Sequence, residues 1–323
     1  MAVSVMSEGV AGATQALKHM LTNPWSYFPQ LVGGDLVGLG QFGDNRFVVA
    51  FGRTWKSGTP TQTDPPLFNS PVVGGPRVFT VDTAARLATE ITPSSLLTPN
   101  ASLRAAAMAG GGMHLVVSDS TGTHAQFIQN FAHQSIRSLN PHHLSPALRV
   151  NGSDRAVEWD RGATTYSHGL FAVGADVDHQ LYVAQIRTML SGANGYDASG
   201  RTYMSDRGWT RKAKEQTPLR RTDGTVLTSQ VPVALAHRRQ HWFMIVPHQS
   251  GNVWGWEVLR ASSLLAPFSH VTYLPGQAAV PTCARLFPGI VLDTDPNQPP
   301  GMAWSYSQET PTTFVPQLGQ LVI

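Results

Sequence analysis

Past its first thirty residues the chain is a succession of short apolar runs, each closed by glycine, proline, asparagine or aspartate. Arg46–Phe51, Arg77–Val81, His114–Ser118, Ala125–Ile128, Gly169–Val173, Gln180–Ile186, Val231–Ala236, His241–Pro247, Trp254–Ala261 and Met302–Ser307 all have this form. Runs of that length with period-two or continuous apolar character are strand signals; a helix needs a 3.6-residue period held over ten or more positions. No helical pattern alternates with them, which leaves an all-β sandwich, barrel or propeller. The runs recur in five units: Val32–Trp55 with Pro76–Leu87, Ala105–Phe131, Thr164–Thr188, Pro232–Ala261 and Val280–Ser307. The spacing, about 65 residues per unit, suits propeller blades with long loops. The expected fold is therefore all-β, a five-bladed β-propeller over residues 31–323, with a two-sheet sandwich as the alternative.

Residues 1–30 are different. Residues 8–21 carry helical periodicity that must stop before Asn23-Pro24, because the residue ahead of a proline avoids the α region. The segment is expected to be a short N-terminal extension outside the propeller core, an arm that attaches the protein to something else. It lacks the basic start and apolar stretch of a secretory signal, and no run reaches the ~18 apolar residues of a membrane span. Only 13% of the 323 residues are charged while 41% are hydrophobic, so a packed core rather than charge-driven disorder is expected. One cysteine, Cys283, excludes an internal disulfide and a cysteine-built zinc site. His142-His143 and His237/His241 lack the i, i+4 helical setting of a zinc protease, so neither a metal nor another cofactor is expected. There is no nucleophile elbow and no phosphate loop opening a helix. The basic cluster Arg211-Lys212-Ala213-Lys214 with Arg220-Arg221 reads as a solvated loop, and no nucleic-acid partner is expected.

The first unit reads Gly33-Gly34-Asp35-Leu36, then Phe51-Gly52-Arg53-Thr54-Trp55. It resembles the opening of the DUF4185-type family of five-bladed β-propellers, with its "GGTDLG" and "FGDTF" motifs. His168–Ile186, His241–Ser263 and Gly301–Gln308 resemble later blades of the same family. Some of its members are endo-acting glycoside hydrolases that cut the D-arabinan of actinobacterial cell walls, and related propellers occur on the tails of phages infecting such bacteria. The resemblance thus implies a carbohydrate ligand. It also carries a departure: Arg53 stands where the family has an acid, and none stands where Ser229-Gln230-Val231 enters the fourth unit. Glycoside hydrolysis needs two carboxyl groups at a set separation.

Several residues are candidates for the site. Asp35 is either an acid near a central pocket or a turn cap beside its glycines. Arg53 and Trp55 follow on the next strand. Glu158-Trp159-Asp160-Arg161 offers acids and a flat aromatic face for sugar C–H groups, or else a surface turn with an internal pair. His168 starts the next strand. Asp206 and Trp209, in Ser205-Asp206-Arg207-Gly208-Trp209, repeat the chemistry, and the two loops are expected to face each other across the propeller mouth. If the chain is an enzyme, Asp35 would work with another acid among Glu158, Asp160, Asp206 and Glu257. The leading expectation is a binding propeller for cell-wall polysaccharide on a phage tail, made in the host cytoplasm, or on a cell surface. Its N-terminal arm would meet other tail or surface proteins. An endo-D-arabinanase and a purely structural propeller are the alternatives.

Overall fold

The computed structural model describes residues 8–28, 31–56, 72–97, 100–109, 112–120, 122–129, 131, 137–138, 142–143, 148–149, 156–167, 169–187, 201–251, 253–274, 284–290, 302–309 and 314–322. Their strands form five antiparallel sheets in chain order. Blade I holds β1 (Leu31–Gly43), β2 (Arg46–Lys56), β3 (Val72–Gly74), β4 (Arg77–Asp82) and β5 (Leu87–Glu90). Blade II holds β6 (Ser102–Ala109), β7 (Gly112–Asp119), β8 (Gly122–Gln129), β9 (Arg137–Ser138) and β10 (His142–His143). In blade III, β11 (Leu148–Arg149), β12 (Ala156–Tyr166), β13 (Gly169–Ala175), β14 (Leu181–Arg187), β15 (Thr202–Ser205) and β16 (Gly208–Thr210) follow one another. Blade IV runs β17 (Ala234–Arg238), β18 (His241–Ser250), β19 (Val253–Ala261) and β20 (Ser269–Leu274). Blade V has β21 (Ala284–Phe287), β22 (Met302–Glu309) and β23 (Phe314–Leu321). The fold is a five-bladed β-propeller.

Side-chain alternation along each strand explains how the ring closes. Successive residues face opposite sides of a sheet, so a strand apolar at every position has two faces to bury. In β13 every residue is buried. Its Phe171 and Val173 pack with Leu235 and Met244 of blade IV, while Leu170 and Ala172 pack with Val116 and Ala125 of blade II. The same partition gives five apolar clusters, one for each contact around the ring: I with II, II with III, III with IV, IV with V, and V with I.

The innermost strands are β1, β6, β12, β17 and β21, each packed on its neighbours in the ring. Blades converge there, and small residues follow from the lack of room. A Cβ on Gly38 would stand 2.5 Å from that of Ala106, and one on Gly162 would stand 2.5 Å from the Val233 carbonyl oxygen.

Helix α1 (Glu8–Thr22) ends at a short 3-10 turn, Pro24–Ser26, as the Asn23-Pro24 pair requires. Where the sequence suggested an arm apart from the propeller, the structure places residues 17–28 inside it. Leu17, Met20, Leu21 and Phe28 are all at most 2% exposed and share one cluster with Phe47 and Phe51 of blade I and Ile290, Ala303 and Leu318 of blade V. Phe28 meets Phe51 and Phe79 edge-on. The apolar stripe of α1 fills out the contact between blades V and I, which is why these residues are buried.

Candidate functional site

At the end of the propeller axis where the innermost strands begin lies a cavity of about 260 Å³. Its polar wall consists of Asp35 from β1, Arg53 from β2, Ser102 and Arg104 from β6, and Arg285 from β21, closed on one side by Val231-Pro232 ahead of β17.

Breaks in strand register aim these side chains. On β1, Gly34 pairs with Thr54 and Leu36 with Phe51, so Asp35 alone faces both Gly52 and Arg53. On β6, Leu103 pairs with Val117 and Ala105 with Val116, leaving Arg104 as an extra residue. On β12, Trp159-Asp160-Arg161 bulge opposite Gly174. A bulge turns its side chain out of the alternating pattern, and such features gather near functional sites. Three innermost strands thus bulge near their first residues, on or beside the cavity.

Asp35 is 4% exposed and accepts a 2.6 Å hydrogen bond from Arg53 Nε to Oδ2. Its Oδ1 is buried and has no hydrogen-bond partner among the described residues. The Arg53 guanidinium lies 5.5 Å over the ring of Trp55, which is itself buried. Asp35, Arg53 and Trp55 therefore form one unit, and the indole face is covered by a cation rather than bared to the cavity. Arg285 is 5% exposed. Its Nη1 donates to the Ala284 carbonyl at 2.7 Å and its Nη2 to the Arg104 carbonyl at 2.5 Å. Blades V and II are not neighbours in the ring, so this side chain reaches across the mouth of the axis.

The other expected site residues lie elsewhere. Trp159 is 1% exposed in the packing between blades II and III, where it meets Tyr203. Asp160 pairs with the adjacent Arg161 at 2.5 Å, and Glu158 is exposed; neither lines the cavity. Asp206 and Trp209 belong to the β15–β16 hairpin at the outer edge of blade III, with Trp209 edge-on to Phe171. One Asp-Arg-Gly stretch thus sits on the innermost strand β12 and the other at the outer β15–β16 hairpin of the same blade, and they do not face each other. The repeat in sequence was four residues long, too short to carry a position in space. Glu257, on β19, is 3% exposed and held by Arg221 through two hydrogen bonds of 2.7 and 2.6 Å, with His270 Nδ1 3.0 Å away. Burial alone would push its carboxyl up, but Arg221 and His270 outweigh it and hold the group below its usual range. It staples blade IV to the 216–229 loop and is remote from the axis. His168 lies outside the described residues.

Among the described residues, one carboxylate therefore lines the axial cavity, together with three arginines. Arg104 and Arg285 carried no sequence signal beyond being basic; the bulge on β6 and the span across the axis are features only of the folded chain. No group of three or more potential metal ligands occurs among the described residues.

No protein-family profile matches the chain, and no curated protein is similar to it in sequence. Solved structures do share its fold. A candidate hydrolase from Bacteroides ovatus superposes with a TM-score of 0.56 at 11% identity, over 94% of this chain and 88% of that one. An α-L-arabinofuranosidase from Podospora anserina, solved with cellotriose, gives 0.48 at 10% identity, covering 91% and 92%. A candidate exo-β-1,3-galactanase from Bifidobacterium bifidum gives 0.46 at 12% identity, covering 91% and 89%. At 11% identity the first of these shows a likeness of fold alone.

Proposed function

We propose that the chain is a glycan-recognising β-propeller that binds actinobacterial cell-wall arabinan without cleaving it, as a phage tail or cell-surface component. The observation that carries this reading is that Asp35 is the one carboxylate lining the axial cavity among the described residues. Both routes of two-acid glycoside hydrolysis require a second carboxyl group roughly 5–10 Å from the first. Here Arg53 occupies that side of Asp35. With Oδ2 accepting from Arg53, the Oδ1 of Asp35 is left to accept a hydrogen bond from a sugar hydroxyl. The choice of arabinan rests on the motifs around Asp35 and Phe51–Trp55 and their resemblance to the arabinan-directed propellers. Attachment to other tail or surface proteins is assigned to the N-terminal segment ahead of Leu17, since residues 17–28 are committed to the ring.

Incubating the purified protein with mycobacterial arabinogalactan tests the proposal. Co-sedimentation with the insoluble polymer and no soluble oligosaccharide by chromatography is the expected result. Oligosaccharide release that disappears in Asp35→Asn would make the chain a hydrolase instead. Neither binding nor release would leave a structural propeller.

A further inference from the structure

Arg285 is a buried cation without a counter-charge among the described residues. Among the described residues no carboxylate pairs with it: Asp35, the one acid in the cavity wall, is joined to Arg53. Two of its N–H groups are taken by backbone carbonyls, and its Nε is buried with no acceptor. Arg104, exposed at its bulge, adds a second unpaired guanidinium to the same wall. Counting Asp35 against Arg53 leaves the described lining of the cavity with two net positive charges. A charge taken out of water is costly unless something of opposite sign meets it, and arginine forks match the planar carboxylate and the phosphate oxyanion.

We infer that the axial cavity takes an anionic group, a carboxylate or phosphate oxyanion borne on a sugar, seated between Arg285 and Arg104. This rests on the glycan-binding proposal and adds to it: the neutral sugar ring meets Asp35 and Ser102, while an acidic substituent carried on the same glycan strengthens binding and fixes its orientation. An anionic substituent supplies the counter-charge that a neutral pentose or hexose lacks, so acidic units are favoured over neutral ones.

Calorimetric titration of the full chain separates the possibilities. The probes are methyl β-D-glucuronide, glucose 6-phosphate, inorganic phosphate, neutral methyl β-D-glucoside and neutral arabino-oligosaccharides. Each is run at about 0.02 M and about 0.5 M sodium chloride, where the Debye length falls from roughly 20 Å to roughly 4 Å. At least one acidic sugar is expected to bind roughly tenfold or more tightly than the neutral probes, and to weaken in high salt; which one binds identifies carboxylate or phosphate. Arg285→Met should abolish that preference. Because Arg285 also ties blades V and II, Arg104→Gln at the exposed bulge provides the second variant, with an expected loss of roughly fivefold or more for acidic probes alone. Neutral oligosaccharides binding as well as acidic ones, without salt dependence, would overturn the inference and leave glycan recognition standing. Inorganic phosphate binding while no sugar or arabinogalactan does would support the anion site and remove glycan recognition. No binding by any probe would refute both.

Discussion

Asp35 and Arg53 show how one substitution in a motif alters what a site can do. With an acid at position 53 the cavity would hold two carboxyl groups on adjacent strands; with Arg53 it holds an ion pair 2.6 Å long, whose cation rests on Trp55. The side chain of Arg53 is 47% exposed, so water screens the pair and its part in stability is small. Asp35→Asn should therefore change unfolding free energy by less than about 1 kcal/mol. Arabinan binding should weaken by about 1–3 kcal/mol, the cost of losing a charge-assisted hydrogen bond in a buried site. Chemical denaturation and pull-down on arabinogalactan measure the two; a large stability loss with unchanged binding would make Asp35 a structural residue. Asp35 was legible in the sequence because its paired glycines mark a place where backbones crowd. Trp159 was misleading for a related reason. Its polar neighbours suggest a surface turn, but the β12 bulge lets Asp160 and Arg161 pair with each other while the indole goes into the core.

Among elements, the outer and middle strands were readable and the innermost ones were less so. β7, β13 and β18 are continuous apolar runs because both faces are covered by neighbouring blades. β1 contains five glycines and β12 carries Glu158, Asp160 and Arg161 in its first six residues, patterns that resemble loops when tertiary crowding at the axis is not considered. Helix α1 was recognisable by its period, whereas its place was not. An amphipathic stripe says that something is covered without saying what. Since Leu17 is wholly buried between blades V and I, Leu17→Ala should lower stability by about 2–5 kcal/mol, the usual range for a buried leucine. Removal of residues 1–28 should depress the thermal midpoint strongly. A truncated chain melting within a degree or two of the full one would show that the helix is dispensable and that blade V closes on blade I unaided.

On the scale of the whole molecule, the five inter-blade clusters make stability a property of the ring, and titrating groups buried in it should report on all of it. His114, on β7, is 1% exposed and packed on Phe127 with ring centroids 4.6 Å apart. Burial lowers its pKa from 6.5 to about 3. The native state thus keeps this imidazole neutral at pH values where the unfolded chain takes up a proton. Stability should fall as pH drops below 6.5 and go on falling until the native group itself titrates near 3. Glu257 acts in a lower window. Its folded pKa lies below the usual value for a glutamate, so the stability it contributes is present above the unfolded value and is lost as acid protonates the folded carboxyl. Between about pH 6 and pH 5 Glu257 stays ionised in both states, and His114 should contribute a slope approaching about 1.4 kcal/mol per pH unit. Urea unfolding at several pH values in that interval, compared between the parent chain and His114→Leu, isolates the contribution. The variant should have the flatter profile whatever its absolute stability. Parallel profiles would mean that the ring opens around blade II and admits the proton to His114 without unfolding.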